Sequence, residues 1–169
     1  MFQRSLELIK IKALMIKINV ITNNFNWFNY IKNPNEYLDR KIKKLNVVEN
    51  KFLKTNFFLT LLLSDSKEIK QLNKKFRKKN KVTDIISFPF QSKNELNKLL
   101  KKKEEIYLGD IIINLNKVKN KKEIKSFKAE FDRLWIHGLV HLFGHKHKKD
   151  KDFLKMNKIE NFFLDIINA

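Results

Sequence analysis

Apolar residues recur along this chain with two periods, and the switches between them outline the elements. Met15 to Ile21 (MIKINVI) alternates apolar and polar, the pattern of a half-buried strand. Pro34 stands at a helix start, after which Tyr37, Leu38, Ile42 and Leu45 recur at helical spacing. Phe57 to Leu63 (FFLTLLL) is a short apolar run suited to a central strand. Asp65 followed by Glu68 resembles a capping box and predicts a helix through Ile69, Leu72, Phe76 and Arg77. Val82 to Phe88 (VTDIISF) reads as a third strand stopped by Pro89, and Ile106 to Leu115 (IYLGDIIINL) as a fourth. Between them, residues 91–105 are polar and Lys-rich and are expected to form an exposed loop or small excursion. A long helix is predicted from about Glu123 to Phe143 and a last one from about Asp150 to Ile167. Residues 1–12 are expected to form a helical or extended lead-in. The order β-α-β-α-β-β-α-α predicts an α+β fold with a mixed sheet of about four strands packed against helices.

No repeat and no Pro/Gly/Ser-rich linker divides the chain, so its 169 residues are expected to form one domain over 1–169. Cysteine is absent, which removes disulfides, thiolate metal sites and a Cys nucleophile. The longest stretch without a charge, Ile18 to Ile31, is too short to span a bilayer. Glu7, Lys10, Lys12 and Lys17 interrupt any signal-peptide core, so a soluble cytoplasmic protein without a membrane partner is expected.

The formal charge of +19 would attract polyanions, RNA or DNA above all, in a salt-dependent way. Lys, Asn, Ile and Phe make up about half the chain, the skew of an A/T-rich coding sequence, and Arg is scarce beside Lys. Codon drift therefore explains the charge as well as selection for phosphate binding does. The same skew makes the rare residues informative. The three glycines are Gly109, Gly138 and Gly144, and all four histidines fall between His137 and His147.

His137 and His141 are four apart in RLWIHGLVHLF, so both imidazoles leave one helix face one turn apart, as a bidentate metal clamp requires. Gly144 suits a helix end in the left-handed conformation. On an unbroken helix His145 would rise about 12 Å from His137. Two nitrogens about 2.1 Å from one zinc stand at most about 4 Å apart. A break at Gly144 instead lets His147 curl back as third ligand, leaving His145 as a neighbour or a substrate contact. The spacing H-x-x-x-H-x-x-G-x-x-H matches a zinc-protease pattern except that Gly138 replaces the general-base Glu, which weakens a peptidase reading. Gly138 inside a helix costs about 1 kcal/mol relative to Ala. Close approach of a bulky substrate or tight packing against a strand would offset it.

The run His137-Gly-Leu-Val-His141-Leu-Phe-Gly144-His-Lys-His147 resembles the signature of the YbeY family, bacterial metal-dependent endoribonucleases that mature ribosomal RNA. Leu72-Asn73 to Phe76-Arg77, then Thr83-Asp84-Ile-Ile-Ser87-Phe88-Pro89, and Leu108-Gly109-Asp110-Ile111 are similar in the right order, so the likeness spans about residues 65–150. The resemblance implies an α+β fold, one zinc-type ion on His137, His141 and His147, and a functional arginine at Arg77. It implies cleavage of single-stranded RNA, especially at the 3′ end of small-subunit ribosomal RNA, a role in ribosome quality control, and the small subunit as partner. Family members usually carry an aromatic residue and an acid where this chain has His145 and Lys146. That exchange removes a carboxylate that could orient His147 and offers His145 as a competing ligand.

Arg77 would clamp non-bridging phosphate oxygens with its planar fork. Asp84 and Asp110 admit two readings, a hydrogen bond to a ligand histidine or capping of strand-end amides. Trp27, Phe28, Tyr30 and Trp135 could stack bases, but core packing is expected for each. Besides a metal-dependent endoribonuclease, a zinc peptidase and a non-catalytic ribosome- or RNA-binding protein with a structural zinc share these features.

Overall fold

The computed structural model describes residues 15–46, 55–102, 105–147 and 149–169; the lead-in at 1–12 lies outside them. Four strands, β1 (Met15–Thr22), β2 (Asn56–Ser64), β3 (Ile85–Pro89) and β4 (Glu105–Asn114), form one sheet in the order β1-β2-β4-β3. The strands β1, β2 and β4 run parallel, and β3 pairs antiparallel with β4 along the edge. Among the described residues the α-helices are α1 (Pro34–Asn46), α2 (Ser66–Arg77), α3 (Lys93–Leu99), α4 (Ile124–Leu142) and α5 (Asp150–Asn168).

The alternation within each strand decides what covers each side of the sheet. Ile16, Phe57, Leu59, Leu61, Leu63, Ile111 and Ile113 point into the main core, where they meet Leu38 and Ile42 of α1, Phe131 and Trp135 of α4, and Phe163 of α5. Their neighbours in sequence face the other way. There Ile86 and Ile112 meet Ile69 of α2 in a second, smaller core. Three helices therefore cover one side, while α2 packs over β3 and β4 on the other. The buried carboxylate of Asp132 on α4 accepts from the Tyr37 hydroxyl, at 3.0 Å, and from the Trp135 indole, at 2.9 Å, and pairs with Lys41 at 3.0 Å, tying α1 to α4.

The segment 91–105 departs from the expected loop. Residues 93–99 form α3, opened by a complete capping box between Ser92 and Glu95, and its one large apolar side chain in mid-helix, Leu96, is buried. Asp65 caps α2 through its carboxylate, which accepts from the amides of Lys67 and Glu68. Glu68 does not close the box; its carboxylate instead receives Asn23 and the Ser64 hydroxyl. The third strand begins at Ile85 rather than Val82, because Asp84 turns its carboxylate onto the Ile85 amide. Trp27 and Trp135 are buried and Tyr30 stacks on Phe127, but Phe28 is exposed and stacks on the still more exposed Phe25.

Candidate metal centre

Helix α4 crosses β3 and β4 and presents its C-terminal half to the site. Gly138 is the residue that lets it lie so close: a Cβ there would stand 2.9 Å from the Ile111 side chain on β4. Of the two explanations for this glycine, packing against a strand is the one found. The helix stops at Leu142, and Gly144, at φ +85°, turns the chain back. A side chain at Gly144 would be strained in that conformation and would collide with Lys93 of α3.

This turn brings the three histidines together. His137, His141 and His147 each offer a ring nitrogen, and these atoms all lie within 4.8 Å of one another. Nε2 of His137 and Nε2 of His141 are 3.1 Å apart. The opposite nitrogen of each ring has its own partner. His137 Nδ1 stands 2.8 Å from a carboxylate oxygen of Glu160 on α5, and His141 Nδ1 stands 2.8 Å from the carbonyl of His145. A carbonyl can only accept, so His141 Nδ1 carries the proton and its Nε2 carries a lone pair. An ionised Glu160 fixes the same tautomer on His137. Burial also pushes the pKa of His141 down, against its hydrogen bond to the His145 carbonyl, which favours the neutral ring.

The donor set fits a transition-metal ion. Two lone pairs aimed at each other across 3.1 Å repel unless a cation or proton is shared between them. Two imidazole nitrogens in tetrahedral zinc coordination stand about 3.4 Å apart. The His147 ring is exposed, so the cluster opens toward solvent on that side.

His145 does not join the cluster. Its side chain is buried, and that burial, ahead of the charges of Lys93 and Lys155, lowers its pKa to about 4. Its contribution is the backbone carbonyl that braces His141. Asp84 and Asp110 take no histidine either: Asp84 caps the Ile85 amide, and Asp110 accepts from the Tyr107 hydroxyl.

Two charged residues at the site escaped the sequence pattern. Glu160 is 23 positions from His137, and only the docking of α5 on α4 makes them neighbours. Arg133 precedes His137 by one turn on the same helix face, and its guanidinium is held by both oxygens of Glu130, each at 2.9 Å. The i, i+4, i+8 spacing of Arg133, His137 and His141 is the signal that could have found it. Arg77 is exposed in the last turn of α2 and has no hydrogen bond or ion pair among the described residues.

A family model described as endoribonuclease YbeY matches residues 21–168. The chain belongs to the YbeY family. It is 43% identical over 158 residues to the endoribonuclease YbeY of Pelagibacter ubique, covering 92% of this chain and 98% of that protein. It is 36% identical over 132 residues to that of Thermodesulfovibrio yellowstonii, covering 76% of each. The solution structure of a Thermotoga maritima protein shares the YbeY chain's fold with a TM-score of 0.52 at 22% identity, covering 89% of both chains. The YbeY relatives are named as endoribonucleases, hydrolases that act on RNA. Among the described residues no helix is long and apolar enough to cross a membrane.

Proposed function

We propose that the chain is one metal-dependent endoribonuclease domain that cuts single-stranded RNA. Its substrate is the 3′ end of small-subunit ribosomal RNA, and its work is maturation and quality control of the small ribosomal subunit in the cytoplasm. The observation that carries this is the convergence of three imidazoles, two of them braced from behind, in a chain of the YbeY family. His137, His141 and His147 would hold one zinc ion. When bound, that ion supplies a Lewis acid beside the scissile phosphate.

The chain's own residues do the rest. Glu160 and the His145 carbonyl hold the two helical rings with Nε2 turned inward. Arg77, exposed and unpaired among the described residues, would grip the non-bridging oxygens of the phosphate in a bidentate way that lysine reproduces poorly. A peptidase would need a carboxylate free to move a proton at the site of attack. Position 138 is a glycine pressed on Ile111, and Glu160 is engaged with His137 Nδ1. The exposure of His147 supports a site open to substrate over a closed structural zinc site.

Digestion of a ribosomal RNA precursor, together with elemental analysis of the protein, tests the reading. His137→Ala should lose both metal and cleavage. Arg77→Ala should keep its metal and lose about 100-fold or more in rate, the scale of removing one preorganised charge donor. Full cleavage by a metal-free His137→Ala protein would discard the mechanism.

A further inference from the structure

The side of the sheet away from α4 carries a row of aromatic rings that the metal centre does not use. A bulge makes it. The pairing of β2 with β4 slips between Phe58 and Leu59, so that Phe58 is opposite Tyr107 and Leu59 is opposite Gly109, with Leu108 extra. Gly109 adopts φ +130°, and a Cβ there would meet the Phe88 carbonyl at 2.1 Å, so the bulge requires glycine. With one residue extra, Tyr107 and Asp110 fall on the same side of the sheet, opposite to Leu108 and Ile111 of the main core.

On that side, β1 sets Lys17 beside Phe58, which sits beside Tyr107, and Phe90 packs edge-on against Tyr107 at 5.6 Å between centroids. Lys17 Nζ lies 5.7 Å from the Phe58 ring centre. The Tyr107 ring is fixed by a 2.5 Å hydrogen bond to Asp110 and a 3.1 Å contact with Thr60. Phe90 is 70% exposed, Lys17 is exposed, and Phe58 and Tyr107 are half-buried. Helix α2 covers the neighbouring rows at Ile86 and Ile112, and among the described residues no helix covers this one.

Rings at adjacent positions, the middle one held by hydrogen bonds, with a lysine at one end, are what stacking of unpaired bases along a phosphate backbone needs. Lys101 and Lys102, exposed just ahead of β4, add positive charge; the acids near them are Glu104 and Glu105, next in sequence, and Asp110, whose carboxylate is taken up by the Tyr107 hydroxyl. A chain of formal charge +19 favours a polyanion over an apolar protein surface as the occupant.

We propose that Phe58, Tyr107 and Phe90, with Lys17, form a stacking platform for single-stranded RNA on the side of the sheet away from the histidines. It would hold a stretch of substrate distinct from the nucleotides at the metal centre. This inference rests on the reading of the substrate as RNA.

The test is binding of an unstructured 20-nucleotide 2′-O-methyl RNA to the full chain, read by fluorescence anisotropy, beside a 4-nucleotide RNA of the same chemistry. Phe90→Ala, at an exposed position, should weaken the 20-mer about tenfold, the scale of one lost stacking contact, and leave the 4-mer unchanged. Tyr107→Phe keeps the ring and should retain binding of the 20-mer. Lys17→Ala should lower the salt slope by about 0.7, one phosphate's share. Unchanged 20-mer affinity in Phe90→Ala overturns the proposal. So does a gain in affinity on deleting residues 1–14, which would make that segment the occupant, or dissociation of a dimer by Phe90→Ala, which would make a second copy the occupant. Absence of cleavage with Phe90-dependent binding intact would strike the nuclease reading and leave the platform standing.

Discussion

Glu160 braces one ring of the histidine cluster from a separate helix, 23 positions from His137 in sequence. Its carboxylate holds the Nδ1 proton of His137, which sets the ring's orientation and raises the basicity of Nε2. Glu160→Gln keeps an acceptor of the same shape but removes the charge, and should weaken metal binding about tenfold. Glu160→Ala should cost up to about 100-fold. Competition titration against a chelator measures both, and unchanged affinity in Glu160→Ala would deny the brace. The signature histidines were legible from spacing because a helix and one glycine turn fix their relation within eleven residues. Glu160 was not, because it reaches the site only through packing of α5 on α4. Among the described residues, Glu160 is the carboxylate hydrogen-bonded to a ring of the cluster.

At the scale of elements, period and length sufficed for β1, β2, β4, α1, α2, α4 and α5, each strongly patterned over seven or more residues. The missed element is α3, and the reason is visible in it. This seven-residue helix turns only Leu96 and, in part, Leu99 inward, too few for a period to register. Its capping box, Ser92 with Glu95, was the available sign. Capping also gives a pH-dependent prediction. The Glu68 amide, before all else, holds the Asp65 carboxyl below the usual carboxylate range. A group lowered in the folded state stabilises it above the ordinary carboxylate pKa of about 4, and that support fades as pH falls through the folded value. Asp65→Ala should therefore cost about 1 kcal/mol in urea unfolding at pH 7 and less at about pH 3. An equal cost at both pH values would mean that the charge contributes nothing to the cap.

For the molecule as a whole, the patterns predicted a mixed sheet with helices but not its strand order. The position of β4 between β2 and β3 follows from long-range pairing that no local period records. Metal binding should couple to global stability, since an ion held by α4 and the loop after it is released on unfolding. Removing metal with EDTA should lower the melting temperature, and returning zinc at about 1,000 times its Kd should restore about 4 kcal/mol. A melting temperature indifferent to chelation would show that the histidines hold no ion in the native state.

The bend at Gly144 also orders events in time. A nascent chain grown only to Phe143 possesses two of the three imidazoles, without the carbonyl that steadies one or the carboxylate that steadies the other. The histidine cluster is thus completed last, after every strand of the sheet that carries it has been synthesised.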